Sequence, residues 1–275
     1  MTGSGNDFIV IDNRELKLEK ERGRELTRLV CRRKVSVGAD GLILIQNDPE
    51  VDFAWYFFNA DGSEAEMCGN GARCAARFAL LKGIVNKDRF SFRTLAGFVG
   101  AHVFGERAKV LMPQPYGIEI DIPVLLNGSD LDLCFINTGV PHAVFFAGSL
   151  AQLKELDVFD LGRQIRFHQR FQPAGSNADF IFVRGLHDIS IRTYERGVEA
   201  ETLACGTGAI AAALVGAAKN FVVSPVNVLT ESGETLIIHF EKNSKKDEVT
   251  FSDVYLEGDA KVVYDAELWD ETLRK

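Results

Sequence analysis

Two cysteines stand where their surroundings could do chemistry. Cys68 lies in Glu64-Ala65-Glu66-Met67-Cys68-Gly69-Asn70-Gly71-Ala72-Arg73, and Cys205 in Glu201-Thr202-Leu203-Ala204-Cys205-Gly206-Thr207-Gly208-Ala209. In each stretch a Gly-x-Gly-Ala step follows the cysteine and leads into an Ala-rich segment, which predicts a helix N-terminus with its first backbone N–H groups free. Such a terminus carries about half a positive charge, so it is expected to lower a thiol pKa from about 8.5 and to attract a carboxylate. Thiols on opposite sides of one carbon could take a proton from one face and return one to the other, inverting the centre. The N–H groups of Gly69-Asn70 and Gly206-Thr207 would meanwhile hold the carboxylate on that carbon and stabilise the charge that develops. An α-amino acid or related acid is the substrate class this chemistry suits.

A lone cysteine is more often a buried structural residue than a catalyst. Two at equivalent places, each ahead of Gly-x-Gly, favour function. Cys31, Cys74 and Cys134 lack that context and are assigned to the core. Five cysteines with no secretory leader argue for reduced thiols rather than a disulfide framework, and their spacing fits no zinc pattern, so no metal is expected.

The elements that must position these thiols repeat. Asp7–Asp12, Leu42–Ile45 and Phe53–Phe58 read as strands, with Glu15–Arg33 as an amphipathic helix weakened at Gly23. A helix opens at Cys68, runs to about Leu81 and closes at Gly83. Strand-like segments follow at Arg89–Thr94, Phe98–Phe104 and Lys109–Met112, and Pro113-Gln114-Pro115-Tyr116-Gly117 is the strongest linker signal. In the second half, Ala178–Val183 and Ile189–Tyr194 read as strands ahead of Cys205, and Val228–Phe240 and Glu248–Leu256 as further strands. Cys205 follows Cys68, and Ala178-Asp179 follows Ala39-Asp40, at offsets that agree within two residues. Two similar halves with a ligand cleft between them are expected. Short connections and an excess of strands favour an α+β fold, with mixed or antiparallel sheets wrapped around one central helix per half.

At 275 residues the chain can bury large cores, and 46% hydrophobic with 25% charged residues is ordinary for a folded protein. A net charge of −8 gives no footprint for nucleic acid, and the clusters Arg32-Arg33-Lys34 and Lys242-Asn243-Ser244-Lys245-Lys246 read as solvated surface. No apolar run reaches the roughly 18 residues of a membrane span, so a cytoplasmic location is expected.

The segments GSGNDFIVIDN, GADGLILI, FFNADGSEAEMCGNGARCAARF, NTGVPH, SNADFIFV and YERGVEAETLACGTGA together resemble the diaminopimelate epimerase family over essentially the whole chain. The resemblance implies cofactor-independent interconversion of LL- and meso-diaminopimelate in lysine and peptidoglycan precursor biosynthesis, with Cys68 and Cys205 as the acid/base pair. It implies substrate contacts at Asn6, Asn59, Gly69, Asn70, Asn177, Glu195, Arg196, Gly206 and Thr207, and support of the thiols by His142 and Glu195. The fold implied has two pseudo-symmetric lobes, residues 1–114 and 115–262, with 263–275 returning to the first. The partner implied is a small amino-acid substrate, with no nucleic acid, no membrane and no cofactor; a homodimer is left open.

Taken singly, Asn6, Asn59 and Asn177 would be turn residues, His142 a structural histidine and Glu195-Arg196 a surface ion pair. The chain departs from the family pattern at Gly41 and Val140, where amides are common, in one more residue within Gly197–Glu201, and in starting only a few residues before Gly5-Asn6. A looser grip on the far end of the substrate, with slow turnover of amino acids such as glutamate, is the consequence expected. Proline racemases and phenazine-biosynthesis isomerases share related two-lobed folds; the former differ at the residue after Gly69 and the latter lack the cysteine pair. A redox protein switching through a Cys68–Cys205 disulfide is the rival from another class. A pyridoxal phosphate racemase finds no lysine context here.

Overall fold

The structure is a computed structural model that describes residues 1–126, 128–245 and 248–273; Lys246, Arg274 and Lys275, on which parts of the surface and C-terminal expectations fall, lie outside them. The chain divides into two compact units, Met1–Leu111 with Glu257–Lys275, and Met112–Leu256.

The first unit holds β1 (Thr2–Gly3), β2 (Asn6–Asp12), α1 (Lys20–Val30), β3 (Gly41–Gln46), β4 (Phe53–Asn59), α2 (Gly69–Leu81), β5 (Arg89–Thr94), β6 (Gly97–Phe104) and β7 (Arg107–Leu111). Its strands neighbour one another in chain order. The pairings β1/β2 to β5/β6 run antiparallel, parallel, antiparallel, parallel, antiparallel. A parallel pair cannot be joined by a tight turn. α1 and α2 make those two crossovers.

β3 reads Gly-Leu-Ile-Leu-Ile and is buried along its length because both faces are covered. Leu42 and Leu44 join Leu26 and Val30 of α1 in one cluster, while Ile43, on the opposite face, lies against Gly71 of α2. α1 is shorter than the Glu15–Arg33 helix expected. Asn13 takes both the N–H and the carbonyl of Leu18 (2.9 and 3.0 Å), and Lys17 has φ +51°, so the chain there is a turn. Gly23 is not a weak point but a contact, since a Cβ there would come within 2.9 Å of Leu44 and Phe58.

The second unit holds β8 (Tyr116–Leu126), β9 (Ser129–Asn137), β10 (Pro141–Phe146), α3 (Leu150–Glu155), α4 (Val158–Phe167), β11 (Asn177–Gly185), β12 (Asp188–Glu195), β13 (Ala200–Thr202), α5 (Gly206–Ala218), β14 (Val226–Leu229), β15 (Thr235–Lys245) and most of β16 (Glu248–Asp259). From β9/β10 the pairing series of the first unit recurs: antiparallel, then β10 parallel to β11, β11/β12 antiparallel, β12 parallel to β14, β14/β15 antiparallel. The duplication seen in the motifs is a duplication of topology. Each unit is a mixed sheet with a central helix; α1 was expected beside it, whereas α3 and α4 of the second unit were not.

Alternation again assigns the faces. Ala178 and Phe180 of β11 cluster with Val158 and Ile165 of α4, while Asp179 lies against Gly208 of α5. α5, Gly-Thr-Gly-Ala-Ile-Ala-Ala-Ala-Leu-Val-Gly-Ala-Ala, is apolar all round and buried from Gly208 to Ala217, as a central helix must be. Of the expected linker Pro113–Gly117, residues 113–115 form the connection just past the boundary after Leu111 and Tyr116 opens β8; the expected strand Val228–Phe240 is a hairpin that turns at Gly233, φ +81°. β16 runs straight through Leu256 and Glu257, so no turn residue marks the second boundary.

Candidate active site

Cys68 is the N-cap of α2, in extended conformation (φ −144°, ψ 118°), with its Sγ accepting the Gly71 N–H at 3.4 Å. Its thiol is half-buried. Beside it, buried Asn70 donates through Nδ2 to Asn6 Oδ1 (2.8 Å), and Asn6 donates to Asp40 Oδ2 (2.9 Å). Asp40 also accepts Arg33 Nη2 through Oδ1 (2.8 Å), so an exposed ion pair anchors the row. The first unit therefore gathers Cys68, Gly69, Asn70 and Asn6. Asn59, exposed at the end of β4, engages Ser63 locally through its backbone N–H (2.8 Å) and its Nδ2 (3.0 Å).

Cys205 is the N-cap of α5 in the same manner (φ −121°, ψ 114°), with Sγ accepting the Gly208 N–H at 3.4 Å and within 3.3 Å of Thr207 Oγ1. Unlike Cys68 it is buried. The loop that delivers it is pinned by a bidentate Arg192–Glu201 pair (2.7 and 2.8 Å). Glu195 and Asp179 are near enough to act on the thiol through their charge. Burial, then these two carboxylates, push the Cys205 thiol well above its ordinary value, outweighing Thr207 and the Gly208 N–H. The expectation that a helix N-terminus lowers this pKa fails here, because a dipole end supplies about half a charge against desolvation and two carboxylates. Burial likewise pushes the Glu195 carboxyl up, against opposing contributions from Thr202 and His142.

His142 and Asn177 sit on the same face of adjacent parallel strands, paired in register. The fully buried His142 ring places Nδ1 2.7 Å from Asp179 Oδ2 and Nε2 3.4 Å from Asn177 Nδ2. Asn177 also donates to the Pro141 carbonyl (3.1 Å) and accepts the Arg196 N–H at Oδ1 (2.7 Å). The Arg196 guanidinium turns to the Ala174 carbonyl (3.0 Å). Cys205, Gly206, Thr207, Asn177, His142, Glu195 and Arg196 thus belong to one part of the second unit.

Asp179, Thr193 and Asp40 were not among the residues expected. Asp179 is fully buried, and Thr193 Oγ1 donates to its Oδ1 at 2.8 Å. The signal was present: an acid inside the apolar strand Ala178–Val183 must be buried, and a buried carboxylate needs partners. Cys31, Cys74 and Cys134 are buried as expected, with burial raising the first two thiols to about 12. At residue 41 a Cβ would meet Phe57 Cε2 and the Phe58 carbonyl at 2.7 Å, so no side chain fits there. Within Gly197–Glu201, the segment expected to be a residue longer, Glu199 accepts Arg166 Nε (3.1 Å) and the Gly197 N–H (3.0 Å). Among the described residues, no helix is long and apolar enough to cross a membrane.

Among solved structures, the fold is similar to a PhzF-family phenazine biosynthesis protein of Bacillus anthracis, with TM-score 0.67 and 14% identity over 94% of this chain and 92% of that one. It is also similar to a hydroxyproline epimerase of Agrobacterium vitis, with TM-score 0.61 and 16% identity over 86% of this chain and 78% of that one. At such identities the likeness shows the fold alone. Sequence relatives are nearer. The chain is 48% identical to a diaminopimelate epimerase of Aquifex aeolicus over 99% of its length and 98% of the relative's, and 43% identical to one of Hydrogenobaculum over 97% and 96%. The profile of the diaminopimelate epimerase family matches residues 1–116 and 134–263. With both cysteine caps inside the matched ranges, the chain belongs to the diaminopimelate epimerase family and is an isomerase.

Proposed function

We propose that this protein epimerises LL-diaminopimelate to meso-diaminopimelate without a cofactor, using Cys68 and Cys205 as its acid/base pair. The observation that carries the reading is the duplicated cap: in each unit a cysteine Sγ sits 3.4 Å from the N–H of the Gly-x-Gly step that opens the central helix. The free N–H groups at Gly69-Asn70 and Gly206-Thr207 bind the α-carboxylate and stabilise negative charge as the α-proton leaves. Cys205, buried beside two carboxylates, starts as the thiol and donates; Cys68 accepts in that direction, and the roles exchange in reverse. His142 and Glu195 support the thiols, and Asn6, Asn59, Asn177 and Arg196 hold the substrate. The product serves lysine and peptidoglycan precursor biosynthesis in the cytoplasm.

Looser specificity belongs to the same reading. Residue 41 has no room for an amide and Val140 is aliphatic, so the far end of the substrate loses polar contacts, each worth about 1.5–3 kcal/mol when charged groups are involved. Glutamate is then a slow substrate. Purified protein given LL-diaminopimelate and no cofactor should yield the meso form; no conversion would refute the assignment. If glutamate gives no racemisation down to about a thousandth of the diaminopimelate rate, the looser-specificity clause fails alone.

A further inference from the structure

Each unit places an aspartate at the start of the second strand of its first parallel pair, Asp40 just before β3 and Asp179 as the third residue of β11, and each aspartate holds a side chain from the neighbouring strand. In the first unit Asp40 holds Asn6; in the second Asp179 holds His142. Asp40 is tied to exposed Arg33, whereas Asp179 is sealed in.

Around Asp179 the donors and acceptors run in one direction. Thr193 Oγ1 donates to Asp179 Oδ1, and the other oxygen faces His142 Nδ1 at 2.7 Å. A carboxylate only accepts, so Nδ1 carries the hydrogen. Nε2 then presents its lone pair to the Asn177 amide, whose Oδ1 is taken by the Arg196 N–H. Turning that amide over would set its NH2 against the Arg196 N–H and its oxygen against the Pro141 carbonyl, which it now donates to. The chain of bonds closes in one sense only. Gly208 makes room for it, because a Cβ there would lie 2.5 Å from Asp179 Oδ1.

We propose that Asp179 is a positioning residue: it locks the His142 ring with hydrogen on Nδ1 and a lone pair on Nε2, and through Asn177 it fixes the backbone N–H of Arg196. This rests on the reading that His142 supports the thiol chemistry. A wrong tautomer would put an N–H against the Asn177 NH2, displacing the amide and with it Arg196.

Nitrogen-15 NMR of histidine-labelled protein, assigned with His142→Gln, tests the lock without reference to turnover. The expected His142 pattern is a protonated Nδ1 and an unprotonated Nε2; a hydrogen on Nε2 would overturn the proposal. Kinetics supply the second arm. Asp179→Ala should lower kcat by about 10²–10⁴-fold with KM changed less than about threefold, while adding it to His142→Ala should cost less than about threefold more. Equal losses in both backgrounds would mean a merely structural role and overturn it. Asp179→Asn keeps the Thr193 hydroxyl on its oxygen by turning its NH2 to Nδ1, which drives the hydrogen onto Nε2; it should show the reversed NMR pattern and be as impaired as the alanine variant, and an Asn variant that keeps most of kcat with hydrogen on Nε2 would overturn the proposal. Should wild-type protein leave diaminopimelate unchanged, the functional reading falls, and the nitrogen shifts alone still decide the tautomer.

Discussion

The N-termini of α2 and α5 are built alike and sit in different surroundings. Both helices run 13 residues from a cysteine cap to a lysine, and both cap sulfurs accept an N–H at 3.4 Å. Around Cys68 are amides, Asn70 and Asn6, with an exposed ion pair behind them; around Cys205 are burial and two carboxylates. The difference teaches that a helix dipole prepares a site for an anion without fixing the ionisation of a thiol beside it. What surrounds the cap decides. Two copies of one supersecondary unit thus present their cap cysteines in unequal surroundings, one half-buried and one buried.

The largest expected effect comes from removing either partner. Cys68→Ala or Cys205→Ala should lower epimerisation by at least about 10⁴-fold with the circular dichroism spectrum unchanged, since neither thiol can serve both faces. Substantial turnover by either variant would dissolve the comparison into one working centre and one relic.

The equivalent glycines sharpen it. A Cβ on Gly208 would lie 2.5 Å from Asp179 Oδ1, whereas one on Gly71 would lie 3.3 Å from the flexible Cδ1 of Ile43. Gly208→Ala should therefore cost about 1–3 kcal/mol of stability and much of kcat, and Gly71→Ala well under half of that, as read by urea unfolding. Equal costs would mean that the two caps are packed alike after all.

A smaller effect should appear in titration. Glu195 and Asp179 both raise the Cys205 pKa, so Glu195→Gln or Asp179→Asn should each move thiolate formation to lower pH. The pH dependence of iodoacetamide labelling at Cys205, followed by peptide mass spectrometry, measures this. An unchanged midpoint would remove the carboxylates from the explanation.

The smallest concerns the core thiols. Cys31 and Cys74 are raised from 9.0 to about 12 on folding, so the folded state binds more protons than the unfolded one between those values. Stability is then intact below pH 9 and falls as pH rises toward 12, by at most about 1.4 kcal/mol per thiol per pH unit. Alanine at either position should flatten the decline in urea midpoints measured across that range.

Much of this site was legible because its signals are local. A cysteine followed by Gly-x-Gly-Ala marks a cap, and β-branched runs mark β2, β3 and β11 wherever they fall. What stayed hidden depends on distant neighbours. Nothing near Cys205 in the chain announces that Asp179 lies against α5, and Gly23 reads as a weak point until Leu44 and Phe58 are placed beside it. Beyond the NTGVPH segment, residues 118–171 carry no local signal that marks β9, β10, α3 and α4, and of the Pro113–Gly117 signal the first three residues form the connection just past the unit boundary while Tyr116 and Gly117 open β8.

The central claim is that two different residues handle the proton on the two faces of one carbon. LL-diaminopimelate incubated with the protein in heavy water, and sampled within the first few per cent of conversion, tests it most directly. A two-thiol mechanism predicts deuterium at the inverted α-carbon of the meso product and none in the recovered LL substrate, because the proton taken by one thiol is not the one returned by the other. Deuterium accumulating in recovered substrate as fast as in product, or product formed with its original hydrogen, would contradict the account.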